Sequence, residues 1–413
     1  MTLDIGPGAA PKAPGRGFWP MRDLPTVLWV IATVVAVVAQ RAIPAPTWLM
    51  LHLLLLGAAT QAILVWSQHF SFALLRARQT LADRRSQNAR LGLANLGAVL
   101  VFVGVPAALW PATVAGAGVL VVAVVWHAAS LVGRLRGSLT GRFGRTVWYY
   151  VVSAMFLAIG ATLGAIIARG GSSHLVLAHA IVNVFGWIGI TVAGTIVTLW
   201  PTILRTRAAE NASRDAARAL PWLAAGALVA ATGAAIAQPI AWVSGLAAYL
   251  AGLALIGVSL WRAARQKPPR DFAALSVCAA LVWWIAIVAV MAVSGVVDIA
   301  SGAGVGGMSR LLRAAVPYLA AGFTAQVLVG ALSYLIPVAL GGGPSPVRIG
   351  TAAFNRFAWS RVAVANVALL ACALPVPSAV RMVAAAAYLV AMASFLVVLT
   401  TAMRAQSRAK RAG

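Results

Sequence analysis

Long apolar runs recur from Leu24 to Ala402, broken at short intervals by charged or Pro/Gly-containing segments. Most are about 18 residues or longer with scarcely a charge, the length a helix needs to cross a bilayer core. Bounding each run by charge or by Pro/Gly predicts twelve helices: 24–40, 48–75, 91–109, 112–132, 147–168, 175–204, 220–237, 240–261, 272–293, 314–340, 358–375 and 382–402. The seventh and eighth meet at Gln238-Pro239 with no charge between them. The predicted fold class is all-α, a polytopic transmembrane bundle of about twelve helices. The expected organisation is a disordered N-terminal tail over 1–23, one transmembrane domain over 24–403 and a basic tail, frayed at its end, over 404–413.

Composition agrees with the pattern. Hydrophobic residues make up 62% of the chain and charged residues 9%, against about 25% charged in soluble domains. No polar stretch is long enough for a separate soluble domain. Residues 1–22 are Gly/Pro-rich and lack the apolar core of a signal peptide. Cys278 and Cys372 each sit inside an apolar run, which suits small buried residues and neither a disulfide nor a metal motif.

The net charge of +25 does not point to nucleic acid, because it is sorted by topology. With the N-terminus in the cytoplasm, 27 of the 32 basic residues fall in inner segments. The other 5 are Arg41, Arg169, Arg310, Arg313 and Arg381. This asymmetry predicts a protein of the cytoplasmic membrane with both termini inside. One helix more or fewer would invert every later connection and spoil the alternation.

The 7 acids are Asp4, Asp23, Asp83, Glu210, Asp215, Asp271 and Asp298, all in predicted connections or tails. No carboxylate is expected in mid-membrane. That excludes two-carboxylate hydrolysis within the bilayer and removes the acids that ion-coupled transporters often keep there. Tryptophans such as Trp19, Trp48, Trp110, Trp200 and Trp261 mark helix ends, the usual interfacial belt. Intramembrane chemistry is left to His, Asn, Gln, hydroxyl groups and backbone.

The stretch 172–207 is the most chemical in the chain. It holds His174, His179, Asn183, three glycines and a Trp-Pro pair. His179, Asn183 and Gly186 are spaced i, i+4, i+7 and share one helix face. A glycine there lets a flat macrocycle or a neighbouring helix approach closely. Topology puts His179 and His52 at the same depth, about one turn below the outer surface, with His174 at the mouth. His174 joins them only if the helix begins after it. His69 and His127 form an inner set. Neutral imidazole is a common ligand of copper, iron and haem.

Three segments resemble an actinobacterial family of twelve-helix membrane proteins found alone or ahead of multicopper-oxidase domains. That family is similar, more distantly, to NnrS-like proteins and to subunit I of haem–copper oxidases. The segments are His52 to Phe70, His179 to Arg207 with its Asn183, Gly186-Trp187 and Leu199-Trp200-Pro201-Thr202, and Gly330-Ala331-Leu332-Ser333-Tyr334-Leu335-Ile336-Pro337 followed by 341–344. The resemblance implies a haem–copper-oxidase-like helix arrangement. It also implies a haem b or a copper ion near the outer face, with His52 and His179 as ligands beside Asn183 and Gly186, and with His174 as a third candidate. Ile181 stands where the family carries the second histidine of its pair, and the tenth helix offers Gln326, Ser333 and Tyr334 but no histidine. An oxygen reductase with a three-histidine copper centre is therefore not expected.

The reading that follows is a membrane protein linked to copper or nitrogen-oxide handling, with a redox partner or multicopper oxidase beside it in the lipid bilayer. No catalytic residue set stands out. The rival readings are a permease for a neutral or hydrophobic solute, with Pro201, Pro337 and Pro375 as candidate kinks, and a non-catalytic subunit that keeps the fold without the metal.

Overall fold

A computed structural model describes residues 20–138, 144–302 and 305–412. Most of the expected N-terminal tail lies outside the described residues. Arg22 and Asp23 do not behave as a disordered tail, being 9% and 6% exposed. Among the described residues there is no strand.

Among the described residues, the twelve predicted helices are present in the predicted order. They are α1 (Leu24–Val38), α2 (Pro46–Leu74), α3 (Leu81–Gly104), α4 (Trp110–Arg136), α5 (Val147–Ile167), α6 (Ser173–Leu204), α7 (Ala212–Ala235), α8 (Pro239–Gln266), α9 (Phe272–Ala300), α10 (Gly307–Leu340), α11 (Ala358–Ala373) and α12 (Ser378–Ala412). Among the described residues, nine helical stretches are long and apolar enough to cross a membrane. Of the other three, α1 has only 15 residues, and α3 and α7 open with charged turns.

Helix boundaries differ from the hydrophobic pattern where a polar turn is helical. The pattern starts α3 at Leu91. It actually starts ten residues earlier, because Thr80 and Asp83 form a reciprocal capping box that satisfies the first free N–H groups. Before α11 the chain forms a separate helix, Pro344–Asn355, after three glycines at positive φ. It breaks at Phe357 (φ 55). Of the expected tail over 404–413, the described residues 404–412 are the last part of α12. Gln406 is 1% exposed and donates to the carbonyls of Pro337 (2.8 Å) and Gly341 (3.0 Å), so the helix continues because α10 holds it.

The twelve helices fall into three successive groups of four. In each group the third and fourth helices pack as a hairpin: α3 with α4, α7 with α8, α11 with α12. The second helix of each carries a π-helical segment: Leu53–Ala59 in α2, Val182–Gly189 in α6 and Leu319–Ala325 in α10. Each π segment packs on the first helix of its own group, α1, α5 or α9. The contact is built around a glycine facing an aromatic ring: Gly57 on Trp29, Gly186 on Phe156 and Gly322 on Trp283. A Cβ at Gly57 would lie 2.9 Å from Trp29 Cγ, and one at Gly322 would lie 2.7 Å from Trp283 Cγ. Wider π turns disturb the i→i−4 ladder, and side chains take up carbonyls there. Tyr249 OH donates to Phe185 O and Tyr388 OH to Ala321 O, both at 2.9 Å. Each acceptor is the residue just before its π-segment glycine.

Even-numbered helices therefore end, and odd-numbered helices begin, at one end of the bundle, called the basic end for its arginines. The connections at the other end, the far end, are nearly free of charge.

Candidate functional site

His52 and His179 are each the seventh residue of their helix, counted from the far end. The structure brings them together, with ring centroids 6.2 Å apart and planes inclined by 28°. Both rings are held through Nδ1 by a backbone carbonyl. His52 Nδ1 lies 2.8 Å from Trp48 O, and His179 Nδ1 lies 2.9 Å from Gly160 O on α5. A carbonyl oxygen can only accept, so Nδ1 carries the proton in each ring. Both Nε2 atoms are then left with a free lone pair.

The surroundings fix these rings. Trp48 stacks on His52 with centroids 4.1 Å apart. The face formed by His179, Asn183 and Gly186 lies along α5 and meets Gly164, Gly160 and Phe156 in turn. A Cβ at Gly164 would sit 3.1 Å from His179 Cε1, and one at Gly160 would collide with the Asn183 amide. Two α5 glycines thus make room for the ring and for the amide. Asn183 Nδ2 donates to His179 O at 2.7 Å and touches His179 Nδ1 at 3.3 Å. Gly186 opens onto Phe156, so the space its missing side chain leaves is used by α5 and not by a macrocycle.

His174 does not complete a three-ligand set. Among the described residues, no group of three His, Cys, Asp or Glu side chains is placed to hold a metal ion. The helix begins at Ser173, capped by Ser172, so His174 is already helical and lies about 140° round the helix from His179. The inner histidines also separate. His69 is exposed, whereas His127 is 1% exposed with Nε2 2.9 Å from Ser67 Oγ.

Below the pair, Trp187 Nε1 on α6 donates to Thr60 Oγ1 on α2 at 3.0 Å and ties the two helices together. Beneath that tie, α2, α6 and α10, with Val277 of α9, line a partly open cavity of about 90 Å³. Its walls are apolar except for Ser67, Thr191, Thr195, Thr324 and Trp66. Thr324 is 1% exposed, and its hydroxyl has no partner.

Sequence reasoning found the histidine pair and missed what supports it. Gly160 and Gly164 carry no chemistry of their own, and their role appears only once α5 is placed against α6. The repeated Gly-x-x-x-Gln of 57–61 and 322–326 was a legible signal of the π segments, once two distant stretches are compared.

No protein-family model matches the chain, and no curated protein is significantly similar to it.

Proposed function

We propose that this chain is an integral protein of the cytoplasmic membrane, of the haem–copper-oxidase-like and NnrS-like type. In this reading it binds one metal between α2 and α6, has its basic end in the cytoplasm, and serves copper or nitrogen-oxide handling with a redox partner or multicopper oxidase. The observation that carries the reading is the pair of neutral imidazoles whose Nδ1–H groups are spent on backbone carbonyls. This is the support that metal-binding histidines usually have, because it fixes the tautomer and aims Nε2. The 6.2 Å separation of the rings is of the order spanned by two metal–imidazole bonds of about 2 Å each to one ion.

Copper fits better than haem. A bare ion needs only the gap between two nitrogens. Trp48 stacked on one ring and the Trp187–Thr60 tie below bound the space that a macrocycle would need. Imidazole suits copper, and no thiolate or carboxylate joins the pair. The test is metal analysis and an absorption spectrum of protein purified after expression with copper and haem supplied. The reading expects about one equivalent of copper per chain, the one-ion stoichiometry of a two-nitrogen site, lost in His52→Ala and in His179→Ala. Wild-type protein that stays metal-free overturns it. A Soret band that disappears in the same variants would replace copper with haem.

The cavity between α2, α6 and α10 favours a second reading, a permease for a small neutral solute. Its lining has hydroxyl groups and no charge. Uptake into proteoliposomes that survives loss of both histidines would select this reading.

A further inference from the structure

Arg90 on α3 is 1% exposed. Its NH2 donates to Gln68 Oε1 at 2.7 Å and its NH1 to Ser86 Oγ at 2.8 Å, while its Nε has no partner. Among the described residues, no carboxylate forms an ion pair with it. The acid that could neutralise it, Asp83, is engaged with Arg134 at 2.9 Å and with the Thr80 cap. Asp23 accepts instead from Trp66 Nε1. Arg134 and Arg22 both lie close enough to repel the Arg90 charge, and Asp83, paired to Arg134, offsets part of that repulsion without bonding to Arg90. The cluster therefore holds more buried cations than carboxylates, with none bonded to Arg90, a state that proteins normally avoid by pairing.

Two more buried donors near it are also unpartnered: Gln68 Nε2 on α2, 1% exposed, and Arg134 NH1 on α4. On α2, α3 and α4 these three atoms and Arg84 Nε are buried N–H donors without a partner, while Asp23 Oδ2, ahead of α1, is an orphaned acceptor nearby. The Arg134 guanidinium lies over the Phe72 ring at 4.2 Å, which fixes its plane. The Arg134 and Asp83 side chains are 13% and 26% exposed, so the cluster opens toward the basic end.

We propose that this cluster is an anion site, with Arg90 as its principal cation and Gln68 and Arg134 as further donors, and that its ligand is a phosphate group. A tetrahedral phosphate offers oxygens in several directions and suits donors arriving from three helices. The phosphate belongs either to an anionic lipid headgroup or to a soluble phosphate.

The experiment uses the full chain, delipidated in a neutral detergent, and follows its thermal midpoint. One arm titrates inorganic phosphate against chloride at constant ionic strength. The other compares phosphatidylcholine nanodiscs with and without phosphatidylglycerol. The midpoint rises saturably in at least one arm: inorganic phosphate identifies a soluble ligand, and phosphatidylglycerol alone identifies a headgroup. Arg90→Gln weakens the apparent affinity by about tenfold or more, the usual effect of losing a charge-assisted bond. Gln68→Glu supplies the missing counter-charge, so it abolishes the response and is more stable than wild type without anion. Arg404→Gln, an exposed arginine at the same end, keeps the wild-type response. No shift in either arm, or a wild-type response from Gln68→Glu, overturns the proposal.

Discussion

Asn366 on α11 repeats what Asn95 does on α3. Asn95 Oδ1 accepts from Trp29 Nε1 at 2.8 Å, and its Nδ2 donates to Gln61 Oε1 at 2.8 Å and to Leu91 O at 2.7 Å. Asn366 accepts from Trp283 Nε1 at 2.8 Å and donates to Gln326 Oε1 at 3.0 Å and to Val362 O at 2.8 Å. Each amide joins the tryptophan that faces a π-segment glycine to the glutamine four residues after that glycine. In the middle group Phe156 and Ile190 replace tryptophan and glutamine, and His179 and Asn183 stand in the π-segment helix. Two groups are thus built for support, while the middle one carries part of the candidate site.

This arrangement predicts that Asn95→Leu and Asn366→Leu each destabilise the protein by about 1–3 kcal/mol, since each takes the partner from a half-buried indole N–H and from a buried glutamine Oε1. The two networks share no residue, so the double variant should lose about the sum, within about 0.5 kcal/mol. Unfolding in detergent, followed by tryptophan fluorescence, checks both statements.

Around the histidine pair, Asn183→Ala should leave the fold in place and weaken metal binding by about 10–100-fold, the usual effect of removing a group that orients a ligand. Gly160→Ala should act through the same amide, because its methyl group takes the space Asn183 occupies. A copper titration of both variants beside His179→Ala measures this. Equal affinity in Asn183→Ala and wild type would show that the amide does not hold the ring.

Glycine substitutions should differ in sign with position. Gly322→Ala sets a methyl group against Trp283 and should cost about 1–3 kcal/mol, as overpacking does. Gly118 is exposed on α4 with nothing within 4 Å of its missing Cβ. Gly118→Ala should therefore stabilise by up to about 1 kcal/mol through helix propensity. Melting temperatures of the two variants decide it.

Asp23, one residue before α1, gives a pH signature. Burial pushes its carboxyl up to about 7, against the Trp66 hydrogen bond and the Arg22 charge, which pull it down. A raised carboxyl contributes stability that is complete below the ordinary carboxylate range, about 4, and is lost as pH rises through about 7. Asp23→Asn should flatten the decline in stability between those limits. A variant whose pH profile follows that of wild type would assign the decline to another group.

The sequence by itself determined twelve of the helices and their order, and missed the separate helix Pro344–Asn355. The free-energy cost of unpaired backbone in lipid forces long apolar runs into helices, so runs and their breaks suffice. It also determined that His52 and His179 share a depth, because depth is a residue count from a helix start. The registration of one helix against another was not legible. It depends on glycines and rings that meet only after folding: Gly164 under His179, Gly57 on Trp29, Gly322 on Trp283. The π segments leave only the repeated Gly-x-x-x-Gln as a mark in the sequence; tertiary structure completes two of them, where Tyr249 and Tyr388 bond to their carbonyls from helices more than 60 residues away. It also decided that Gly186 serves α5 and that the helix already includes His174. Finally, it left Arg90 buried without a carboxylate, because α3 begins ten residues before its apolar run and carries the arginine into the bundle.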